Sequence, residues 1–292
     1  MMETYTVQND FLKIQVKSAG AEIISIQDQA QNEYIRQADP EIWNRHAPVL
    51  FPIVGRLKGD HYYYNDQKFE MSQHGFARDR DFSLASQNDN KLVLELNDDE
   101  ETLSIYPFHF KLQIIYQLVK DTLQISYIVE NKDTAEKMYF AIGAHPGFSV
   151  PFVKGLQYSD FKIELDPKET RSRIALKDSN IDLSQEQRVE DQDFTLTHDA
   201  FVDDAIIYSL SQPSVITIKS DLTDKKIQLD TRNAKFVGIW SQYPEKGDFV
   251  CIEPWWGIAD KIDTDHQLVN KYGINTLDPE QTFEAYYSIS FK

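Results

Sequence analysis

The segment FKLQIIYQLVKDTLQISYIVEN, residues 110–131, decides the fold class of this chain. Apolar residues occupy every second position over 110–118 and again over 123–129, and the polar pair Lys120-Asp121 separates the two runs. Side chains of a β-strand alternate between its two faces, so each run predicts a strand with one face on a core. A short polar turn between two such strands predicts an antiparallel pair.

The same alternation recurs along the whole chain. Further apolar stripes with a two-residue period lie at 12–16, 92–96, 161–165, 216–218, 227–229 and 283–291. Helical patterning is thin, and short helical pieces are expected only at 40–45, 184–189 and 265–272. Because no linker composition and no fixed repeat divides the sequence, we expect a single domain over 1–292. The pattern predicts an all-β fold, a large antiparallel β-sandwich, with a polar excursion near 165–200.

Charge and composition narrow the class of protein. Lysine and arginine number 30 against 47 aspartate and glutamate, so the net charge of −17 argues against nucleic acid or an anionic membrane as the main partner. Cys251 is the only cysteine, which excludes an intramolecular disulfide and a zinc cluster built from several cysteines. The N-terminus shows no secretory signal, and no run approaches the roughly 18 apolar residues of a membrane span. A cytoplasmic protein is therefore expected.

Two short segments place a proton-handling side chain directly before a proline. They are GAHPGF at 143–148, which contains His145, and CIEPWWG at 251–257, which contains Glu253. A residue before proline is held in an extended backbone, and proline lacks the N–H that a central strand needs, so both residues are expected at strand ends, bulges or edges. The tryptophans after Glu253 can desolvate its carboxylate and raise its pKa toward that of a useful general base. A positioned acid and base indicate proton-transfer chemistry.

Three other segments break the strand pattern with glycine, proline or charge. PVLFPIVGR ends in Arg56, QHGFARDRD contains His74 and Arg78, and HDAFVDDAIIY contains Asp203 and Asp204. Each of these residues, taken alone, is well explained by a turn, an ion pair or a loop cap. Only together with the two proline segments do they predict one site.

Other catalytic patterns are missing from the sequence. It contains no HExxH, no phosphate-binding glycine loop and no GxSxG elbow, so neither a metal nor an organic cofactor is predicted. Trp255 and the other tryptophans of the C-terminal third are expected mainly in the core. A tryptophan at the wall of a cleft also stacks on sugar rings through its apolar face.

These segments resemble the aldose 1-epimerase (galactose mutarotase-like) family, most closely its LacX-type branch. The likeness spans nearly the whole chain and is specific because five segments occur in order: PVLFPIVGRLKG, QHGFARDRDF, LSIYPFHFKLQIIYQL, YFAIGAHPGFSVPF and FVCIEPWWGIADKIDT. The resemblance implies a supersandwich with a sugar cleft on a concave sheet face. It also implies interconversion of the α and β anomers of a free aldose, with no cofactor.

The resemblance assigns a role to each candidate catalytic residue. Glu253 corresponds to the general base that takes the proton of the anomeric C1 hydroxyl. His145 corresponds to the general acid that protonates the ring oxygen, and His74 to a second imidazole near that oxygen. A carboxylate and an imidazole are the residue types that such ring opening needs, because one group must remove a proton while another delivers one.

The resemblance also implies contacts with the sugar. Arg56 corresponds to an arginine that contacts sugar hydroxyls. Asp204 corresponds to the sugar-binding aspartate, with Asp203 as the competing alignment. The implied partner is a small-molecule sugar, and a homodimer is left open.

The identity of the sugar stays open at this point. The asparagine-arginine signature of true galactose mutarotases is replaced by IVGRLKG, so a preference for galactose is not expected. QHGFARD is closer to the form found in hexose-6-phosphate epimerases, where arginines near the cleft hold phosphate. Arg78, Arg80 or Lys58 could do so here, and the alternative for each is an ion pair with a neighbouring aspartate.

Two other functions compete with epimerisation. A glycoside hydrolase would use Glu253 with Asp203 or Asp204 as a carboxylate pair, but it gives no special role to the two histidines. A sugar-binding sensor would keep the cleft without needing a matched acid and base. We rank the epimerase first, since it uses all of these residues.

Overall fold

The segment 110–131 forms the predicted hairpin. Strand Phe110–Val119 pairs antiparallel with strand Thr122–Asn131, and Lys120-Asp121 form the turn. This computed structural model describes residues 3–244 and 247–292. Antiparallel sheets dominate it, which confirms the predicted all-β class.

In these two described ranges the strands are numbered β1 to β24 in chain order. The first twelve are β1 Thr4–Gln8, β2 Leu12–Lys17, β3 Ile23–Asp28, β4 Val49–Leu50, β5 His61–Tyr64, β6 Gln67–Glu70, β7 Ser83–Gln87, β8 Lys91–Asn97, β9 Phe110–Val119, β10 Thr122–Asn131, β11 Met138–Phe140 and β12 Ile142–Ala144. The others are β13 Gly147–Ser149, β14 Lys162–Asp166, β15 Thr170–Lys177, β16 Asn180–Glu190, β17 Phe194–Thr195, β18 Ile206–Ser209, β19 Val215–Lys219, β20 Lys226–Asp230, β21 Phe236–Trp240, β22 Phe249–Trp256, β23 Asn275–Leu277 and β24 Thr282–Phe291. The α-helix α1 covers Glu100–Ile105, and short 3-10 turns cover Lys58–Asp60, Ala77–Asp79, Tyr158–Asp160, His198–Phe201 and Leu268–Asn270.

Two large sheets share one apolar core. Among the described residues, one sheet has nine strands in the order β17-β14-β19-β20-β24-β10-β9-β8-β7. The other has eight, in the order β16-β15-β18-β21-β22-β12-β4 with β13 also paired to β22. Ile114 and Tyr127 from the first sheet and Ile239 and Ile252 from the second belong to one buried cluster. This arrangement is the predicted sandwich.

The short helices differ from the prediction. Residues 184–189 lie inside strand β16, which pairs with β15 across a bulge, because the neighbouring strand supplies hydrogen bonds that a short isolated helix lacks. The segment 40–45 forms turns, and 265–272 contains only the 3-10 turn Leu268–Asn270. The α-helix α1 was not predicted from the sequence. Its capping box joins the side chain of Asp99 to the N–H of Thr102, and the hydroxyl of Thr102 to the N–H of Asp99.

Strand β22 lies in the interior of the eight-stranded sheet and separates two environments. Val250, Ile252 and Trp256 belong to the main core, whereas Trp255 belongs to a second apolar cluster on the opposite face. Since side chains alternate along a strand, Cys251, Glu253 and Trp255 all leave from that opposite face. The face of the sheet that points away from the main core therefore carries these three side chains in a row.

The prediction that Glu253 lies at a strand end, bulge or edge is wrong. Glu253 and Pro254 lie within β22, and Pro254 pairs in register with Val237 of β21. A proline is tolerated here because the neighbour on the other side is interrupted: β12 ends at Ala144 and β13 begins at Gly147. The missing N–H thus coincides with a break in the adjacent strand.

Candidate active site

The break between β12 and β13 brings the two proline segments together. On one side of the break Ile142 pairs with Trp256 and Gly143 with Trp255, and on the other side Gly147 pairs with Cys251, all in the same register. The unbroken register places His145 opposite Glu253. Their side chains touch, with His145 Nε2 3.2 Å from Glu253 Oε2.

Burial sets the protonation of this pair. Glu253 is 2% exposed and His145 is 8% exposed. Burial, helped by the charge of Asp204, raises the pKa of Glu253 well above its usual value, and burial with a smaller effect of Arg78 lowers the pKa of His145 to about 3. Both shifts favour the uncharged side chains. The pair therefore holds one proton between its two facing atoms at neutral pH.

His74 stands edge-on to His145, with ring centroids 5.6 Å apart. It sits in a left-handed turn with φ 69°, followed by Gly75, where a Cβ would lie 2.3 Å from the carbonyl oxygen of Phe51. The N–H of Gly55 donates to His74 Nδ1 at 3.2 Å. This hydrogen bond assigns the proton of the neutral ring to Nε2, so His74 can donate from that atom. Burial, His145 and nearby arginines lower the pKa of His74 well below its usual value.

A cleft of about 520 Å³ opens over these three side chains. Trp43 stacks on the His145 ring at a centroid distance of 5.0 Å, and Trp240 meets the same ring edge-on at 5.5 Å. Trp255 lines the cleft as well. Its indole N–H makes no hydrogen bond of normal geometry among the described residues. It lies close enough to Glu253 to lower the pKa of that carboxyl, against the larger effect of burial. The volume is in the range of small-molecule sites.

Two glycines make room for the Trp255 ring. A Cβ at Gly238 of β21 would lie 2.6 Å from Trp255 Cη2, and one at Gly143 of β12 would lie 2.7 Å from Trp255 Cδ1. The ring therefore lies flat over the backbones of both neighbouring strands. It forms part of the floor of the cleft, beside Glu253.

The structure distinguishes the two candidate aspartates. Asp204 lines the cleft, in a left-handed conformation with φ 74° that lets its carboxylate accept the N–H of Ala205 at 2.8 Å. Asp203 is exposed and is not part of the cleft lining. Although Asp204 keeps contact with solvent at the mouth of the cleft, protein surrounds its carboxylate, and this partial burial raises its pKa.

Arg78 is the arginine that reaches the cleft. Its Nη2 donates to the carbonyl oxygen of Gln73 at 2.7 Å, and its buried Nε makes no hydrogen bond in the described chain but lies 3.7 Å from Asp79 Oδ2, in the ion pair considered as the alternative from the sequence. Arg45 lies close by, since its Nη1 donates to the carbonyl oxygen of Arg78 at 3.2 Å. Burial and the charge of Arg45 lower the pKa of Arg78. Asp79 also pairs with Arg45 at 2.6 Å and offsets one of the two positive charges of this corner.

Other basic residues predicted for the site lie elsewhere. Arg56 points into a separate depression and forms an exposed ion pair with Asp60, with Nη2 2.7 Å from Oδ2, so its placement does not support the predicted sugar contact. Lys58 lines that same depression, and Arg80 pairs with Glu101. Arg56 pairs with Asp60 because this aspartate lies four residues further along the chain, within reach of the arginine side chain.

Some residues in or beside the cleft carried too little sequence signal to be found. Trp43 and Arg45 belong to a segment that was expected to be helical, and nothing in its spacing relates it to His145. Cys251 was seen only as a lone cysteine. In the structure its thiol, His145 and Glu253 place ligand atoms within 4.8 Å of one another, and all three residues are buried. Strand alternation over 251–255 is the signal that groups Cys251 with Glu253.

Comparison with known proteins identifies the family. The sequence profile of the family described as aldose 1-epimerase matches residues 3–267. The plasmid LacX protein of Lactococcus lactis subsp. lactis is 30% identical over 98% of this chain and 99% of its own length. No helix among the described residues has the length and apolar character needed to cross a membrane.

Solved structures give the same result. A galactose mutarotase related enzyme from Lactobacillus acidophilus is 42% identical, with a TM-score of 0.97 over 99% of this chain and 97% of that chain. A galactose mutarotase-like protein from Lactobacillus casei is 29% identical, with a TM-score of 0.91 over 99% of this chain and 100% of that one. The resemblance inferred from five sequence segments is thereby confirmed, and the chain belongs to the aldose 1-epimerase family.

Proposed function

We propose that this protein is an isomerase that interconverts the α and β anomers of an aldose by acid–base ring opening. The observation that carries the proposal is the 3.2 Å contact between His145 Nε2 and Glu253 Oε2 at the floor of the cleft. Membership of the aldose 1-epimerase family supports the same reaction class. The pair supplies one acid and one base, which is what ring opening requires.

The reaction begins when the shared proton sits on His145. Glu253 is then a carboxylate and takes the proton of the C1 hydroxyl, and the electrons of that O–H bond form the C1 carbonyl. The C1–O5 bond breaks, and O5 receives the proton from His145. After rotation about C1–C2, O5 attacks the other face of the carbonyl. Glu253 returns its proton to O1, and His145 recovers the proton of O5, so no net proton is gained or lost.

The remaining cleft residues orient the sugar in this proposal. His74 donates from Nε2 toward the ring oxygen, because Gly55 occupies its Nδ1. Asp204 accepts from a sugar hydroxyl at the mouth of the cleft, and Trp255 offers an apolar face together with an unpartnered N–H. Burial of the acid–base pair favours its uncharged form, so sugar binding must also promote the proton shift to His145.

Anomer exchange measured by NMR tests this proposal. Wild type and Glu253→Gln are compared on glucose and galactose, with the spontaneous exchange subtracted. We expect the variant to lose a factor of about 10²–10⁴ in the protein-dependent rate, since it lacks the base. Unchanged acceleration in a folded Glu253→Gln protein would exclude the assigned role.

A phosphorylated aldose is a second candidate substrate. The specific observation in its favour is the pair of arginines at and beside the cleft, Arg78 and Arg45, which share a single acidic partner, Asp79. Guanidinium groups bind phosphate through paired hydrogen bonds. Titration with glucose and glucose 6-phosphate separates the candidates, because equal affinity for the two removes the proposed anion contact.

The hydrolase alternative is less well supported. Glu253 and Asp204 both line the cleft, but a carboxylate pair would leave His145, which touches Glu253, without a role. We further propose that the chain acts as one domain, since one buried cluster includes residues from Val7 to Phe291. The cytoplasmic location and the homodimer stay predictions from the sequence.

A further inference from the structure

Cys251 is a buried nucleophile that the proposed sugar reaction does not use. It lies two residues before Glu253 on the same face of β22, opposite Gly147 of β13 and Trp240 of β21. Gly147 has no side chain, and the place where its Cβ would lie is closed by the Trp43 ring at 2.9 Å and by Cys251 Sγ at 3.5 Å. The thiol therefore lies on the side of the sheet that carries the acid–base pair.

The three donor atoms form a compact group. His145 Nε2 and Glu253 Oε2 are 3.2 Å apart, and one ligand atom from each of His145, Cys251 and Glu253 lies within 4.8 Å of the other two. A tetrahedral zinc ion with bonds of about 2.0–2.3 Å separates its ligand atoms by about 3.3–3.8 Å. A side-chain movement of about 1 Å is therefore enough to close three ligands around one ion.

The donor set selects a class of metal. One thiolate, one imidazole and one carboxylate suit Zn²⁺ and similar borderline or soft cations, whereas Mg²⁺ and Ca²⁺ prefer oxygen ligands alone. A thiolate and a carboxylate together balance the two charges of the ion, so the loaded site is neutral, which reduces the cost of burying it. Binding releases the proton of the thiol and that of the carboxyl where it is protonated.

We propose that this protein binds Zn²⁺, or a cation of similar chemistry, at His145, Cys251 and Glu253, with a fourth coordination position open to the cleft. If the proposed function is correct, the metal is an inhibitor and not a cofactor. Glu253 and His145 cannot carry protons while both coordinate the ion. The binding itself does not rest on the proposed function, and the two are tested separately.

Co²⁺ is the probe for the binding experiment, because tetrahedral Co²⁺ with a thiolate ligand gives a near-ultraviolet charge-transfer band. Since Cys251 is the only cysteine, this band reports the one thiol of the chain. We expect wild type to develop the band on titration, and Zn²⁺ to abolish it by displacement. In Cys251→Ser the band is lost, and Glu253→Gln weakens Co²⁺ binding by more than about tenfold.

Each outcome decides the proposal. Absence of the band in wild type at saturating Co²⁺, or an unchanged affinity in Glu253→Gln, overturns it. Cys251→Ala serves as a second variant should the serine hydroxyl not be tolerated in this buried position, and near-ultraviolet circular dichroism confirms folding. Anomer exchange with and without Zn²⁺, each variant compared with its own metal-free rate, tests inhibition. If the protein does not accelerate anomer exchange but does develop the cobalt band, the proposed function is refuted and the metal site is upheld.

Discussion

Two buried ionisable side chains in this protein, Arg171 and Glu253, have different roles. Arg171 has no exposed side-chain surface, donates from Nε to Asp191 at 2.7 Å and from Nη2 to Pro167 at 2.9 Å, and lies 2.6 Å from Glu169. Glu253 is equally buried, but among the described residues its only ion-pair partner is a histidine that burial keeps neutral. The ion pairs of Arg171 indicate a structural role. Glu253 instead shares one proton with His145, which indicates a role in proton transfer.

The largest effect on stability is expected for Arg171→Met. Removing one partner of a buried ion pair leaves the others unpaired, so we expect a loss of about 3–5 kcal/mol in the free energy of unfolding. The rate of anomer exchange per folded molecule should be unchanged. Urea denaturation measures the first quantity, and Arg173→Met, which replaces an exposed arginine of the same strand, is the matched control. Equal losses in both variants would show that the buried network has no special weight.

The pH dependence of stability tests the buried pair of His145 and Glu253. His145 has a folded pKa of about 3, so below pH 6.5 the unfolded chain binds a proton that the folded chain refuses. Acidification from pH 7 to 5 should therefore cost wild type about 2 kcal/mol more than His145→Asn. Thermal denaturation at the two pH values measures this difference.

Glu253 predicts the opposite sign in the same experiment. Its pKa is raised, so above pH 4.5 the unfolded chain releases a proton that the folded chain keeps. Wild type should lose stability relative to Glu253→Gln as the pH rises from 5 to 7. Parallel curves for wild type and both variants would show that the pair is not held in its uncharged form.

A smaller effect is expected at the floor of the cleft. Gly238→Ala and Gly143→Ala each push a methyl group against Trp255, which is confined from both sides. We expect a rise of up to about tenfold in KM for the sugar, equivalent to about 1.4 kcal/mol, with a smaller change in kcat. Steady-state kinetics with an unchanged KM in both variants would remove Trp255 from the binding surface.

The smallest effect is expected at Arg56. Its ion pair with Asp60 is exposed, so Arg56→Ala should change stability by less than about 0.5 kcal/mol and leave KM unaltered. Arg78→Ala is the matched comparison and should weaken binding of glucose 6-phosphate by about tenfold or more. A raised KM in Arg56→Ala would restore the contact predicted from the sequence.

The fold class was predictable because period-two alternation is a local property of each strand. The hairpin over 110–131 needed no information from elsewhere in the chain. The helix α1 was missed because its six residues are fixed by a capping box and not by an apolar period. The position of Glu253 was wrong for a non-local reason, since a proline in the middle of a strand is tolerated only where the neighbouring strand is interrupted.

The polar residues of the candidate site were predictable from the sequence, whereas the aromatic residue Trp43 in the wall of its cleft was not. His74, His145, Asp204 and Glu253 stand in unusual local settings, beside glycine, proline or paired acids, and all four line the cleft. Trp43 has no such setting, because its stacking on His145 depends on how a distant loop folds back. Arg56 shows the converse, because it also follows a glycine in an unusual segment but pairs with Asp60 outside the cleft.

The break between β12 and β13 has a consequence for how this protein could acquire new substrates. His145 and Glu253 face each other at a spacing set by the sheet ladder, which hydrogen bonds on either side of the gap hold fixed. Trp43 and Asp204 come from connecting segments at the rim, outside the strands. Grafting different loops at 39–47 and 198–205 should therefore redirect selectivity while the reactive geometry is inherited intact.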